Sequence, residues 1–189
     1  MSRRSQALAV SGIIVMGSPL AACSSSASHQ QSVVSEAKWA EHYDTIHDLT
    51  AHSTIVVAGA FTAIAKQTTS GNNPSTDFTF AVSKVLADKA QATAAGSAIT
   101  IHQTGGTMSD GTPVSTEDDP LFKVGETTVL FLHQYSPGHF YVVGGPNGRF
   151  EAPAANTRSM GVAEVKPFNS ETVQFTGSVD QLAAEVAKP

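Results

Sequence analysis

The chain has 189 residues, 16 of them acidic and 11 basic, for a formal charge of −5. That balance excludes the basic footprint of a nucleic-acid-binding surface and the Lys/Arg cluster that docks on anionic lipids. Cysteine occurs once, at Cys23, so an internal disulfide is excluded too.

Arg3 and Arg4 form a short cationic opening, and small apolar residues run from Ala7 to Met16. Ser18-Pro19 then breaks any helix before Leu20-Ala21-Ala22-Cys23. This is the order of an export signal, and its apolar run is too short to span a bilayer permanently. No later stretch offers about 18 apolar residues in succession, so no transmembrane helix is expected. Leu20-Ala21-Ala22-Cys23 resembles the lipobox of bacterial lipoproteins. The resemblance implies removal of residues 1–22 and a thioether link from Cys23 to diacylglycerol. It also implies a membrane anchor on the extracytoplasmic face. An unpaired thiol is unusual in an exported protein, and lipidation accounts for it. Ser2-Arg3-Arg4 fits the opening of a twin-arginine signal as well, although Gln6 and Ala7 stand where apolar residues usually follow.

Loss of residues 1–22 leaves 167, enough for one domain with a real core. Loss of Arg3 and Arg4 leaves 9 basic against 16 acidic residues, a formal charge of −7. Residues 23–31 are a Ser/Gln-rich tether without apolar periodicity, and residues 32–189 form the folded domain. From Ser32 to Ala51, Trp39, Tyr43, Ile46 and Leu49 recur at steps of three and four, which predicts an amphipathic helix docked on the core.

The middle of the chain predicts strands. Thr54 to Ile64 is β-branched and apolar, with Gly59 placed as a bulge or bend needs. After a turn-rich loop from Thr68 to Pro74, Phe78, Phe80 and Val82 alternate with polar or small residues. Ile99 and Ile101 do the same, and a long loop follows from Thr107 to Gly125. Thr127 to Leu132 is apolar on both faces, which predicts a central strand. Ser136-Pro137-Gly138 turns it into Phe140 to Val143, and Gly144 to Gly148 is a further turn. Weaker strand material lies at Val162–Val165 and Val173–Phe175. Ser178-Val179-Asp180-Gln181 is a capping-box pattern that opens a short helix with Val179, Leu182 and Val186 inward.

Several short strands with glycine bends and flanking helices predict a mainly β, α+β domain, a small antiparallel barrel whose closure removes exposed edges. The block from Thr54-Ile55-Val56-Val57-Ala58-Gly59 through Ile101-His102-Gln103-Thr104-Gly105-Gly106 to Gly144-Gly145-Pro146-Asn147-Gly148 resembles a group of exported bacterial proteins. Their strand pattern is similar to the oligonucleotide/oligosaccharide-binding barrel and its netrin-like relatives. That resemblance implies the barrel alone. An acylated Cys23 has no free thiol for a protease zinc, and the acidic charge with few exposed aromatics argues against nucleic acid.

Chemistry-bearing motifs are sparse. Ser35-Glu36-Ala37-Lys38 matches S-x-x-K, but no S-D-N or K-T-G accompanies it. His42, His47 and His52 are five apart and do not share a helical face. His102, His133 and His139 lie on or beside strands and are candidates to converge. Asp110 with Glu117-Asp118-Asp119 offers oxygens for Ca²⁺, without EF-hand spacing. The expectation is a lipid-anchored, non-enzymatic binding module with no cofactor or metal. Its expected partners are the membrane, through Cys23, and an envelope component. The competing expectation is a small hydrolase or metal-dependent enzyme using strand-end His and Asp residues.

Overall fold

The computed structural model describes residues 32–35, 41–153, 159–169 and 173–189. Eleven strands and two α-helices follow in chain order. They are β1 (Val33–Ser35), α1 (Ile46–His52), β2 (Ile55–Ser70), β3 (Asn73–Asp88), β4 (Ala98–Thr104), β5 (Gly106–Thr107) and β6 (Pro113–Thr116). Then come β7 (Thr127–Ser136), β8 (His139–Val142), β9 (Arg149–Glu151), β10 (Glu164–Pro167), β11 (Gly177–Ser178) and α2 (Val179–Val186).

Strands β7, β2, β3, β4 and β8 pair side by side, and β8 pairs back to β7, which closes a five-stranded barrel. Four of the five junctions are antiparallel; β4 and β8 run parallel, with His102 beside Tyr141. The expected small β-barrel with flanking helices is present, and its one parallel junction has a geometric reason. Strand directions cannot alternate all the way round a ring of five, so one pair must be parallel. β8 leaves β7 through a tight turn and fills the gap beside β4, and that junction takes the parallel step. From β7 the sheet also continues outward through β9, β10 and β11.

The barrel interior is solid. The inward residues of β3 and β4 alternate as predicted, with Phe78, Phe80, Val82, Ile99 and Ile101 buried beside Ile55, Val57, Phe61, Leu130, Leu132 and Phe140. Phe61 lies edge-on to Phe80 at 4.9 Å and stacks on Phe122 at 4.2 Å. A barrel of this size is filled by its own side chains, so the interior holds no ligand space. Gly59 sits at a register shift in β2, and a Cβ there would meet Ala81 O at 2.1 Å. Only glycine permits that approach.

A second core lies on the outside of β2 and β7. Val56, Ala58, Val129, Phe131 and Phe150 pack there against Leu49 of α1, Val165 of β10, and Val179, Leu182 and Val186 of α2. Helix α2 opens with the predicted capping box between Ser178 and Gln181.

Three expectations are revised. The helix predicted from Ser32 begins only at Ile46, where Thr45 accepts from the Asp48 amide; Val33–Ser35 is a strand instead, parallel to β6. Ile46 and Leu49 face the second core as the stripe implied, and Tyr43 reaches it from the segment before the helix. The loop predicted from Thr68 to Pro74 shrinks to Gly71-Asn72, because β2 and β3 remain paired to Ser70 and Asn73. Val173 to Phe175 is irregular, although Val173 is buried.

The long loop is also more constrained than expected, since β6 lies within it and its end is pinned to the barrel. Gln103 donates to Pro120 O at 3.2 Å and accepts from the Phe122 amide at 3.1 Å. Arg149, only 5% exposed, reaches Asp119 at 3.4 Å and Glu126 at 2.7 Å. Its guanidinium lies between the rings of Phe122 and Phe168, at 4.5 and 4.0 Å.

Candidate functional site

Register brings the predicted strand histidines to one wall. His133 on β7 pairs with Tyr141 on β8, Tyr141 with His102 on β4, and His102 with Asp77 on β3. Side chains alternate across a strand, so all four point outward once Phe140, Ile101 and Phe78 point in. A register shift between Gln134 and Ser136 makes Tyr135 the extra residue on β7. Bulges re-aim side chains in this way. Here Tyr135 lies between His139, at 6.0 Å, and Tyr141, at 6.3 Å, with His102 at 6.1 Å. His133 completes the group 5.2 Å from Tyr141.

Five rings therefore form one contiguous, outward-facing platform. Tyr135 and Tyr141 are 52% and 43% exposed and nearly parallel, 27° apart. The exposed aromatics are few among the described residues, as expected, and both lie on this wall. A cavity of about 510 Å³ opens at its foot, lined by His102, Gln103, Thr104, Asp119, Tyr135, Tyr141, Val142 and Gly145. That volume lies within the usual range for small-molecule sites.

His102 Nδ1 is 2.7 Å from Asp77 Oδ1. An ionised carboxylate only accepts, so Nδ1 carries the proton and Nε2 faces away from Asp77. Burial, reinforced by the Asp77 charge, pushes the Tyr135 hydroxyl above its ordinary range, so it remains a neutral donor. Asp119 is also pushed up, first by burial, while Arg149 opposes that shift.

The other candidates are dispersed. His42 pairs with Asp44 at 3.0 Å and His47 with Asp48 at 3.7 Å, both on the surface near α1. Among the described residues no group of three His, Cys, Asp or Glu side chains is arranged to hold a metal ion. Asp119, one of the oxygens weighed for Ca²⁺, is buried against Arg149. Ser35 lies on β1, while Lys38, its S-x-x-K partner, is outside the described residues, as is Trp39. Leu20, Ala21, Ala22 and Cys23 are also outside them.

Asp77, Tyr135 and Tyr141 carry the site without having been singled out in the sequence. The available signal was weak: outward positions of strands whose inward positions are apolar, occupied by tyrosine rather than by short polar residues. No known protein-family model matches the chain, and no curated protein matches it either.

Proposed function

We propose that this chain is a lipid-anchored, extracytoplasmic binding module of the cell envelope that captures a saccharide without transforming it. Cys23 provides the anchor, and the wall built from His102, His133, Tyr135, His139 and Tyr141 provides the binding face. The observation that carries the second half is the pair of near-parallel, half-exposed tyrosines at the rim of a cavity. Flat rings of this kind receive the C–H face of a sugar, and His102 Nε2, Thr104 and the tyrosine hydroxyls are placed for its hydroxyl groups. The acidic charge turns the same platform away from nucleic acid, whose phosphates a stacking surface must neutralise.

Two experiments test the two halves. Tyr141→Ala is expected to abolish retention of the purified domain on an insoluble glycan matrix while its melting curve stays put. Retention equal to wild type would refute the platform. Cys23→Ala is expected to release the protein from membranes or leave an uncleaved precursor, and a processed variant still fractionating with membranes would refute the anchor.

One observation favours the hydrolase reading instead. Asp77 and His102 form a base-and-orienter pair, as nucleophilic enzymes use. Among the described residues, however, no Ser, Thr or Cys side chain hydrogen-bonds the His102 ring. Hydrolysis of a bound oligosaccharide by wild type but not by Asp77→Asn would establish that reading over the binding one.

A further inference from the structure

The platform has a charge as well as a shape. The only formally charged residue lining its cavity is Asp119, and no Lys or Arg lines it. Behind it, Asp119 and Glu126 both contact Arg149, so that guanidinium is already engaged and offers the cavity no free positive charge. Asp77 adds a second carboxylate next to the cavity through His102, and its field reaches the Tyr135 hydroxyl. The π-faces of Tyr135 and Tyr141 are themselves electron-rich and attract cations. The nearest cation in register is Lys66 on β2, opposite Asp77. It is exposed, makes no ion pair within 4.0 Å among the described residues and does not line the cavity.

We infer that the saccharide captured here carries protonated amines, as in a glycan whose amino sugars have lost their N-acyl groups. The inference rests on the platform being a saccharide site and adds the chemical class of its ligand. One sugar ring lies against Tyr135 and Tyr141, and its ammonium group lies between the tyrosine faces and the Asp77–His102 pair. A neutral acetamide at that position gains the stacking but none of the charge attraction. An acidic sugar is repelled by Asp77 and finds no Lys or Arg in the cavity lining. The net negative charge of the whole chain acts in the same direction at longer range.

A matched pair of ligands isolates the charge. Glucosamine oligomers and N-acetylglucosamine oligomers of equal length share ring, linkage and stacking face. Calorimetric titration of the intact domain at pH 7, where the formal charge is counted with neutral histidines, should show the glucosamine oligomer binding on the order of tenfold tighter at low salt. The advantage should shrink severalfold on going from about 0.05 to 0.5 M salt, because charge attraction is screened. Asp77→Asn should remove most of the preference while keeping weak binding of both oligomers. Lys66→Gln should enlarge it.

If Asp77→Asn unfolds, the salt series and Lys66→Gln still decide the matter. Equal or tighter binding of the acetylated oligomer, lost in Tyr141→Ala, would overturn the amine inference and leave the saccharide site standing. Binding of neither oligomer would overturn both. Tight binding of a lysine oligopeptide in place of the glucosamine oligomer would also overturn it, by showing that the amine comes from a peptide.

Discussion

Strand β7 meets two different surroundings on its outward side. Val129 and Phe131 point away from the barrel and are fully buried. His133 and Tyr135, further along the outward side of the same strand, are exposed. The difference lies in what packs against them. Over Val129 and Phe131 lie Leu49, Val143, Phe150, Val179 and Leu182, drawn from the helices, the residue after β8 and the β9 extension. Over His133 and Tyr135 lie the other rings of the platform, and His133 Nδ1 also meets the His52 backbone oxygen at 3.4 Å. One wall of the barrel thus anchors the fold, and the other is open for contact.

The most damaging way to break that contrast is Phe131→Ala. The ring is completely buried and lies 5.5 Å from Phe150. Truncation should lower stability by about 3–5 kcal/mol, measured by denaturant unfolding. A loss below about 1 kcal/mol would mean that the covered wall is not a core.

Arg149→Leu tests the edge where the loop meets β9, with a comparable expected loss of about 3–5 kcal/mol. The substitution keeps an apolar body between Phe122 and Phe168 but leaves buried Asp119 and half-buried Glu126 without their cation. Restored stability in Arg149→Leu combined with Asp119→Asn and Glu126→Gln would show that the charge, not the packing, accounts for the loss.

The covered and open walls were unequally legible in the sequence. Inward alternation at Phe78, Phe80, Ile99 and Ile101 is a local period, and it located the barrel strands correctly. The two-sided burial of Thr127 to Leu132 was also visible, because a strand covered on both faces is apolar at every position. The start of the first helix was not, since Val33 and Val34 become a strand only by pairing with Val114 and Ser115, far along the chain. The ring platform was hidden for the same reason. Three of its histidines were visible as strand residues, but their meeting depends on the registers of β3, β4, β7 and β8 and on one bulge. The parallel closure depends on strand number, which no local pattern records.

Tyr43 links the two walls and gives a pH signature. Its ring belongs to the second core, and burial, then its hydrogen bond to Glu41, raise the hydroxyl from 10.0 to about 12. Unfolded chains would ionise this tyrosine near pH 10 while the folded protein keeps it neutral. Its contribution is therefore fully present below pH 10 and is lost as pH rises from 10 toward 12. The stability of Tyr43→Phe should fall less over that interval than that of wild type. An identical fall in both would mean that Tyr43 does not seal this side of the core.

The smallest effect is expected on the open wall, where a small number is the informative result. His133→Ala and Tyr141→Ala remove rings that lie 5.2 Å apart on the exposed side of the barrel, with one further contact from His133 to the His52 backbone oxygen. Each should change stability by no more than about 0.5 kcal/mol, as surface substitutions do. The double variant should lose less than the sum of the two, because rings in contact are not independent sites. A loss of 2 kcal/mol or more in either single variant would place these rings in the fold rather than on a binding face. Near-zero losses joined to a full loss of glycan retention would separate the two walls of β7 by function as cleanly as burial separates them by structure.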